Sequence, residues 1–350
     1  MLVRDDAPLA PLTTLGIGGT ARRLVTAHTE DEVVEALRAA DAAGDRVLVL
    51  GGGSNLVLPD EHFDGTVVRV LSHGLRSRRE GEDVLLEASA GEDWDGFVAL
   101  CVADRLIGVE CLSGIPGLVG GTPVQNVGAY GQDVSQTVAS VRVLDRTTGE
   151  VVQVDAAACG FSYRHSAFKG SDRRIVLAVE FRLSVGGLSA PLRYAELARA
   201  LGVGVGERAP LEEVRATVLA LRRGKGMVVD PADPDSRSAG SFFTNPLLDA
   251  GQAASLRARA SERGVTLTEH VEPDGRVKVS AAWLIEHSGF AKGWGEGAVG
   301  LSTKHVLALV NRGGASGQDL RTAARQVRDG VREAFGVELV PEPVLLGGPL

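Results

Sequence analysis

Between residues 29 and 44 the apolar positions Val33, Val34, Leu37 and Ala40 recur at helical spacing, with Thr29 and Glu32 ahead of them and Gly44 behind. Thr29 three residues before Glu32 is a capping-box pattern, so a helix is predicted that ends at the glycine. RVLVL at 46–50 is a short β-branched run that stops at GGGSN, and GTVVRV at 65–70 repeats it. Both predict strands, the first with a glycine loop at its end. Further on, VLLEASA (84–90) reads as a strand and EDWDGFVALCVADRL (92–106) as a helix. VASVRVLD and EVVQVD then form two strands joined by the turn RTTG, and RRIVLAVEFRL (173–183) is another strand. Beyond 210 helical periodicity dominates. LEEVRATVLALRRG, DAGQAASLRARASERG, SAAWLIEHSG and GQDLRTAARQVRDGVREAFG predict four helices, with HVLALVN (305–311) as a short strand among them.

This order of elements predicts an α+β or α/β chain, and 350 residues exceed what one core serves, so about three domains are expected. Residues 184–210, rich in Gly, Ala and Pro, read as a boundary or a partly ordered excursion. Hydrophobic residues at 44% and charged residues at 23% belong to an ordinary soluble protein. A formal charge of −8 speaks against nonspecific binding to nucleic acid or to an anionic membrane, and an anionic ligand would need a local basic site. The first residues lack the order of a secretory signal, and no run of about 18 uncharged apolar residues occurs, so a cytoplasmic location is expected. Cys101, Cys111 and Cys159 form no CxxC pair and read as buried thiols, and no metal site is expected.

The candidate chemistry lies in the irregular stretches. Gly51, Gly52 and Gly53, then Ser54 and Asn55, follow a strand directly. Glycines there let main-chain N–H groups approach an anion such as a pyrophosphate without Cβ obstruction. The spacing is neither GxGxxG nor GxxxxGK[ST], which excludes the Rossmann and Walker readings. A second passage, GIPGLVGGTPVQNVGAYGQ (114–132), cannot be a regular element, because Pro116 and Pro123 lack the ladder donor and glycine favours neither helix nor strand. So long a loop in a compact domain is usually functional. Two such loops in consecutive blocks suggest one long dinucleotide held between them.

GGGSN, GIPG followed by GG, and QNVGAYG resemble the FAD-binding core of the UDP-N-acetylenolpyruvoylglucosamine reductases, flavoenzymes of bacterial peptidoglycan precursor synthesis. FSYRHSAFK (161–169), SAGSFFTNP (238–246), SAAWLIEHSGFAKGWGEGAVGLSTKHVLALVN (280–311) and ELVPEPVLL extend the resemblance in order to roughly residues 13–345. It implies a three-domain flavoprotein with a two-part FAD module of the vanillyl-alcohol-oxidase type and an α+β substrate domain. The parts would be 1–71, with 338–350 packed on it, then 72–210 with a substrate-covering excursion near 186–205, then 211–337. It also implies a monomer and noncovalent FAD held by Gly51, Gly52, Gly53, Ser54, Asn55, Gly114, Ile115, Pro116, Gly117, Gly121, Asn126, Gly128, Ala129, Tyr130 and Gly131. No histidine lies in either loop, and Cys111 precedes the second, which leaves no covalent attachment point there.

The resemblance assigns catalysis to Arg164, Ser241 and Glu342 and substrate contacts to Tyr163, Tyr194, Lys225, Asn245 and His305. An arginine suits a carboxylate through two charge-assisted hydrogen bonds. In an extended segment Tyr163 and Arg164 would point to opposite faces, so at most one would line a given pocket. Ala239 and Gly240 leave room around Ser241, while Phe242 and Phe243 fix the backbone beside it. Thr244 stands where some members carry Lys, and Pro343 departs from the family's PEV at Glu342. Lys225 in RRGKG suits a diphosphate, although such a run is equally an ordinary helix end. For Trp283 and His287 helical spacing points to packing.

The implied reaction is reduction of FAD by NADPH, then hydride transfer from flavin N5 to C3 of UDP-N-acetylglucosamine enolpyruvate, with the proton for C2 from Ser241. Two rivals explain fewer motifs. An FAD-dependent alcohol or sugar oxidase accounts for the loops but not for SAGSFFTNP, and a nonenzymatic nucleotide-sugar binder leaves Arg164, Ser241 and Glu342 without a role.

Overall fold

The computed structural model describes residues 1–350, and these fall into two units built from discontinuous segments. Met1–Pro8, Thr20–Gly53 and His62–Gly224 form the first, and Leu9–Gly19, Ser54–Glu61 and Lys225–Leu350 the second.

In the first unit the strands Leu2–Pro8, Thr20–Ala27, Phe63–Val70 and Val47–Leu50 hydrogen-bond in that order. The first pair is antiparallel and the other two pairs are parallel. A parallel return needs a crossover, and helix α1 (Glu30–Ala42) supplies it, burying Val33, Val34 and Leu37 with Val25, Val68 and Val70. The Thr29 hydroxyl accepts from the Glu32 N–H at 3.2 Å, as the capping pattern predicts. The Glu32 carboxylate turns instead to the His28 N–H and the N-terminal ammonium, so only half of the box forms. A charged donor outcompetes the neutral N–H of Thr29.

The second sheet of this unit is antiparallel, in the order Glu150–Asp155, Val138–Asp145, Arg174–Val185, Asp83–Ser89 and Leu75–Glu80, with Leu106–Ile107 beside the end of Arg174–Val185. Leu75–Glu80 escapes sequence reading because all its side chains are exposed and leave no alternation to detect. Helix α2 (Trp94–Ala103) begins where the Asp93 carboxylate accepts from the Gly96 N–H. Trp94, Phe97 and Phe181 form an aromatic cluster with ring centroids 4.8–5.9 Å apart, and the Trp94 indole N–H donates to the Leu112 carbonyl. Cys101, Cys111 and Cys159 are all buried.

Two further helices, α3 (Ala195–Ala200) and α4 (Leu211–Gly224), bury Leu197, Val214 and Val218 together with Leu192 and Cys111. The expected boundary at 210/211 thus differs from the break between the units, at Gly224 and Lys225. The apolar face of α4 is committed to the first unit. Residues of both expected halves of the cofactor module, from Val25 to Leu183, also share one core.

In the second unit helices α5 (Ala250–Glu262), α6 (Ala281–His287) and α7 (Gly317–Phe335) share one hydrophobic core with the antiparallel strands Leu247–Leu248 and Val277–Val279, the second of which also pairs with the exposed strand Glu269–Val271. Ser316 and Asp319 form a full capping box on α7, and the Asp60 carboxylate accepts from Gly317 and Gln318 N–H, placing a negative charge at the positive helix end. Val344–Leu345 runs parallel to Leu56–Val57, so the C-terminal segment is held beside the chain that follows the first glycine loop. Of HVLALVN only Leu309–Asn311 is a strand, and the rest is a turn. No helix is long and apolar enough to cross a membrane.

Phe181 is fully buried within the first core. Phe181→Ala is predicted to cost about 3–5 kcal/mol of unfolding free energy, measured by chemical denaturation. A loss below about 1 kcal/mol would contradict the packing described.

Candidate active site

The two glycine clusters of the first unit meet backbone to backbone. A Cβ added at Gly52 would lie 2.8 Å from the Gly117 Cα, so only glycine permits the approach. The Gly114 N–H donates to Asp95 at 2.6 Å, and Asp95 also takes both arms of Arg215 at 2.6 and 2.8 Å. Burial pushes the Asp95 carboxyl up, but Arg215 and the Gly114 N–H outweigh it and hold the group below the usual carboxylate range. Helix α4 therefore fixes the start of the second loop. Main-chain donors without Cβ atoms, and a buried Ser72 hydroxyl with no hydrogen-bond partner, fit a dinucleotide with a pyrophosphate at these loops.

The second passage ends in a hairpin, in which Gly128 and Ala129 pair with Asp133 and Gln132. Tyr130 and Gly131 form its tip with φ of 49° and 83°, the signs that a tight two-residue hairpin turn requires. Arg164 donates to the Gly128 carbonyl at 2.7 Å, and the Asn126 amide donates to the Ser162 carbonyl at 3.1 Å. The expectation of an extended Tyr163–Arg164 segment is corrected here. Ser162 and His165 exchange main-chain hydrogen bonds, and Arg164 has φ 52°, so the pair sits at a reversal. The Arg164 guanidinium consequently lies 5.6 Å from the centre of the Tyr163 ring, and the two side chains keep together.

Tyr194 precedes α3 and packs edge to face on Tyr130, with centroids 5.4 Å apart. Gly131 has no room for a side chain because Arg193 lies against it. The excursion is thus seated on the hairpin tip. Its root is held by Glu110, fully buried, whose carboxylate accepts from the N–H groups of Gly108 and Ala190 and from the Gln132 amide at 2.7–2.9 Å. Sequence reading passed over Glu110, Asp95 and Arg215. The available signal was a lone acid in the otherwise apolar and small run VECLSG. Burial pushes the Tyr130 phenol up to about 12, with Arg222 opposing.

In the second unit SAGSFFTNP is clamped from two sides. Phe242 N–H donates to the Leu307 carbonyl at 2.7 Å, Thr244 N–H to Val340 at 3.0 Å, and Glu342 N–H to Phe242 at 2.8 Å. The backbones that carry Ser241 and Glu342 are therefore hydrogen-bonded neighbours. Only alternate residues of the C-terminal segment face this contact, so Pro341 and Pro343 remove no bond from it, and the departure at Pro343 leaves the Glu342 backbone anchored. Phe242 and Phe243 are buried, and their rings meet edge to face at 5.1 Å.

Asn245 uses its side-chain carbonyl to accept from the Ala281 N–H at the start of α6. His305, half-buried, lies in a turn where the Ser302 hydroxyl accepts from Lys304 and His305 N–H groups. Asp235, buried and missed in the sequence, accepts from the Thr303 N–H and hydroxyl, tying that turn to the lead-in of Ser241. Lys225 stands half-buried just past the end of α4. Trp283 and His287 stack at 4.3 Å in the packing role expected. Of the assigned residues, Gly51 to Gly53, the 114–131 positions, Tyr163, Arg164 and Tyr194 belong to the first unit, and Ser54, Asn55, Lys225, Ser241, Asn245, His305 and Glu342 to the second.

Residues 21–155 match the family model for an FAD binding domain, which makes this a flavoprotein by class. Residues 231–346 match the model for the C-terminal domain of UDP-N-acetylenolpyruvoylglucosamine reductase. The chain is 56% identical over 347 residues to the UDP-N-acetylenolpyruvoylglucosamine reductase of Thermobifida fusca, covering 98% of this chain and 97% of that one. The enzyme of that name from Streptomyces coelicolor is 55% identical, over 98% and 90%. The crystal structure of the Thermus caldophilus reductase superposes with a TM-score of 0.65 at 25% identity, over 98% and 99% of the two chains. The chain belongs to the UDP-N-acetylenolpyruvoylglucosamine reductase family.

A spectroscopic pH titration comparing the protein with Tyr130→Phe is predicted to show their difference emerging near pH 12. A difference complete by about pH 10, where an unperturbed phenol titrates, would contradict the buried hairpin tip.

Proposed function

We propose that this protein reduces UDP-N-acetylglucosamine enolpyruvate to UDP-N-acetylmuramate for peptidoglycan synthesis, with NADPH as reductant and noncovalent FAD as mediator. Family membership over nearly the whole chain supports the reaction, and the Glu342-to-Phe242 main-chain bond is the observation that carries the residue roles. The glycine loops would hold FAD, which would supply the hydride-transfer chemistry between NADPH and the enolpyruvyl group that no side chain possesses. We assign the first unit, together with Ser54 and Asn55, to holding FAD, and residues 225–337 to the nucleotide sugar.

Arg164 binds the substrate carboxylate, on which negative charge collects together with C2 as C3 is reduced. One well-aimed donor to such charge lowers the barrier by about 3–4 kcal/mol. Glu342, in its protonated form or through a bridging water, acts beside Ser241 to stabilise the same charge. The Ser241 hydroxyl then passes its proton to C2 and regains one from solvent. A serine is a weak acid, and the strong basicity of the developing carbanion is what makes the transfer feasible. Tyr163, Tyr194, Asn245 and His305 line the sugar and enolpyruvyl groups, and Lys225 meets the diphosphate. The protein acts as a monomer in the cytoplasm, where NADPH and nucleotide sugars are available.

Ser241→Ala is predicted to keep flavin reduction by NADPH and to slow reoxidation by the enolpyruvyl nucleotide by about 10²–10⁴-fold, read by stopped-flow absorbance. Equal loss of both half-reactions would overturn the role of Ser241.

A further inference from the structure

Strand Phe63–Val70 runs parallel to Val47–Leu50, with Arg69 opposite Leu50. The two chains therefore leave the sheet at one edge, Val47–Leu50 into Gly51–Gly53 and its neighbour into Leu71 and Ser72. Carboxyl ends of parallel strands are where nucleotides bind in open α/β sheets.

Ser72 is locked into that edge. Its carbonyl accepts from the Gly91 N–H at 3.1 Å, and Gly91 has no room for a Cβ because the Ser72 backbone lies against it. The adjoining Ala90 carbonyl accepts from the Gly120 N–H at 2.9 Å, which brings in the second glycine passage. Gly117 of that passage touches Gly52 of the first. Ser72 thus belongs to the neighbourhood in which both glycine loops converge. Ser72 is 2% exposed, and its hydroxyl makes no hydrogen bond within the protein. A buried unpaired hydroxyl destabilises a fold, so this one is held at a cost. A methyl group would fill the position without that penalty.

We propose that the Ser72 hydroxyl donates a hydrogen bond to an oxygen of the adenosine diphosphate half of the bound dinucleotide. The proposal rests on the assignment of FAD to these loops and adds a side-chain contact to their main-chain donors. A hydroxyl suits this position because a phosphate or ribose oxygen accepts from it without requiring a buried charge. It also carries a thermodynamic signature: the group that helps hold the ligand burdens the ligand-free fold.

The test uses the full chain stripped of flavin, as wild type, Ser72→Ala and Ser72→Thr, titrated with FAD by fluorescence quenching and with ADP by competition. Loss of one neutral hydrogen bond corresponds to about a fivefold weaker Kd. Ser72→Ala is expected to weaken FAD and ADP by that same factor, and Ser72→Thr to retain the wild-type value. The flavin-free Ser72→Ala protein should melt no lower than wild type. An unchanged Kd for both ligands in Ser72→Ala, or weakened binding accompanied by a lower melting temperature of the flavin-free protein, would overturn the proposal. A wild-type protein that takes up no FAD would instead overturn the cofactor assignment itself, and the Ser72 contact with it.

Discussion

Three main-chain hydrogen bonds hold the segment that carries Ser241: Phe242 N–H to Leu307, Thr244 N–H to Val340, and Glu342 N–H to Phe242. Each contributes only about 1 kcal/mol net, yet together they determine which parts of the chain lie beside the serine. One partner comes from the turn that bears His305, the other from the segment that bears Glu342. The buried rings of Phe242 and Phe243 keep water from competing for these bonds. Two residues a hundred positions apart are brought together through peptide groups rather than through their side chains.

The first unit relies on the same economy of side chains. Gly52 and Gly117 approach through backbone alone, and the donors that would meet a pyrophosphate are main-chain N–H groups. Charged residues are placed behind these loops rather than in them. Asp95 fixes Gly114 while paired to Arg215, and Glu110 joins the hairpin to the root of the Tyr194 excursion. Both carboxylates are buried or half-buried and fully hydrogen-bonded, as buried charges must be. Arg164 is oriented by the carbonyl of Gly128, so the arginine and the hairpin share one scaffold.

Periodic elements were legible in the sequence because burial leaves a pattern: Val138–Asp145, Glu150–Asp155 and Leu211–Gly224 have the bounds that spacing predicts. Leu75–Glu80 and Leu2–Pro8 were not, since strands exposed on nearly every residue obey hydrogen-bonding rather than hydrophobic constraints. The discontinuous second unit was illegible for a related reason. Nothing local in 9–19 or 54–61 states that Asp60 will cap α7 or that Leu56–Val57 will pair with Val344–Leu345. Motifs named the assigned residues, but the reversal at Tyr163–Arg164 depends on Asn126 and Gly128, which lie far from it in sequence. The supporting acids Glu110, Asp95 and Asp235 act through contacts that spacing cannot encode.

In the proposed reaction hydride is delivered at C3 and a proton at C2, the latter from a serine in exchange with solvent. An anaerobic single turnover in deuterium oxide with unlabelled NADPH tests that division most directly. The flavin band should bleach on adding NADPH and return on adding the enolpyruvyl nucleotide, with solvent deuterium entering the product at C2. A band that returns only when oxygen is admitted, or a product without deuterium at C2, would contradict it.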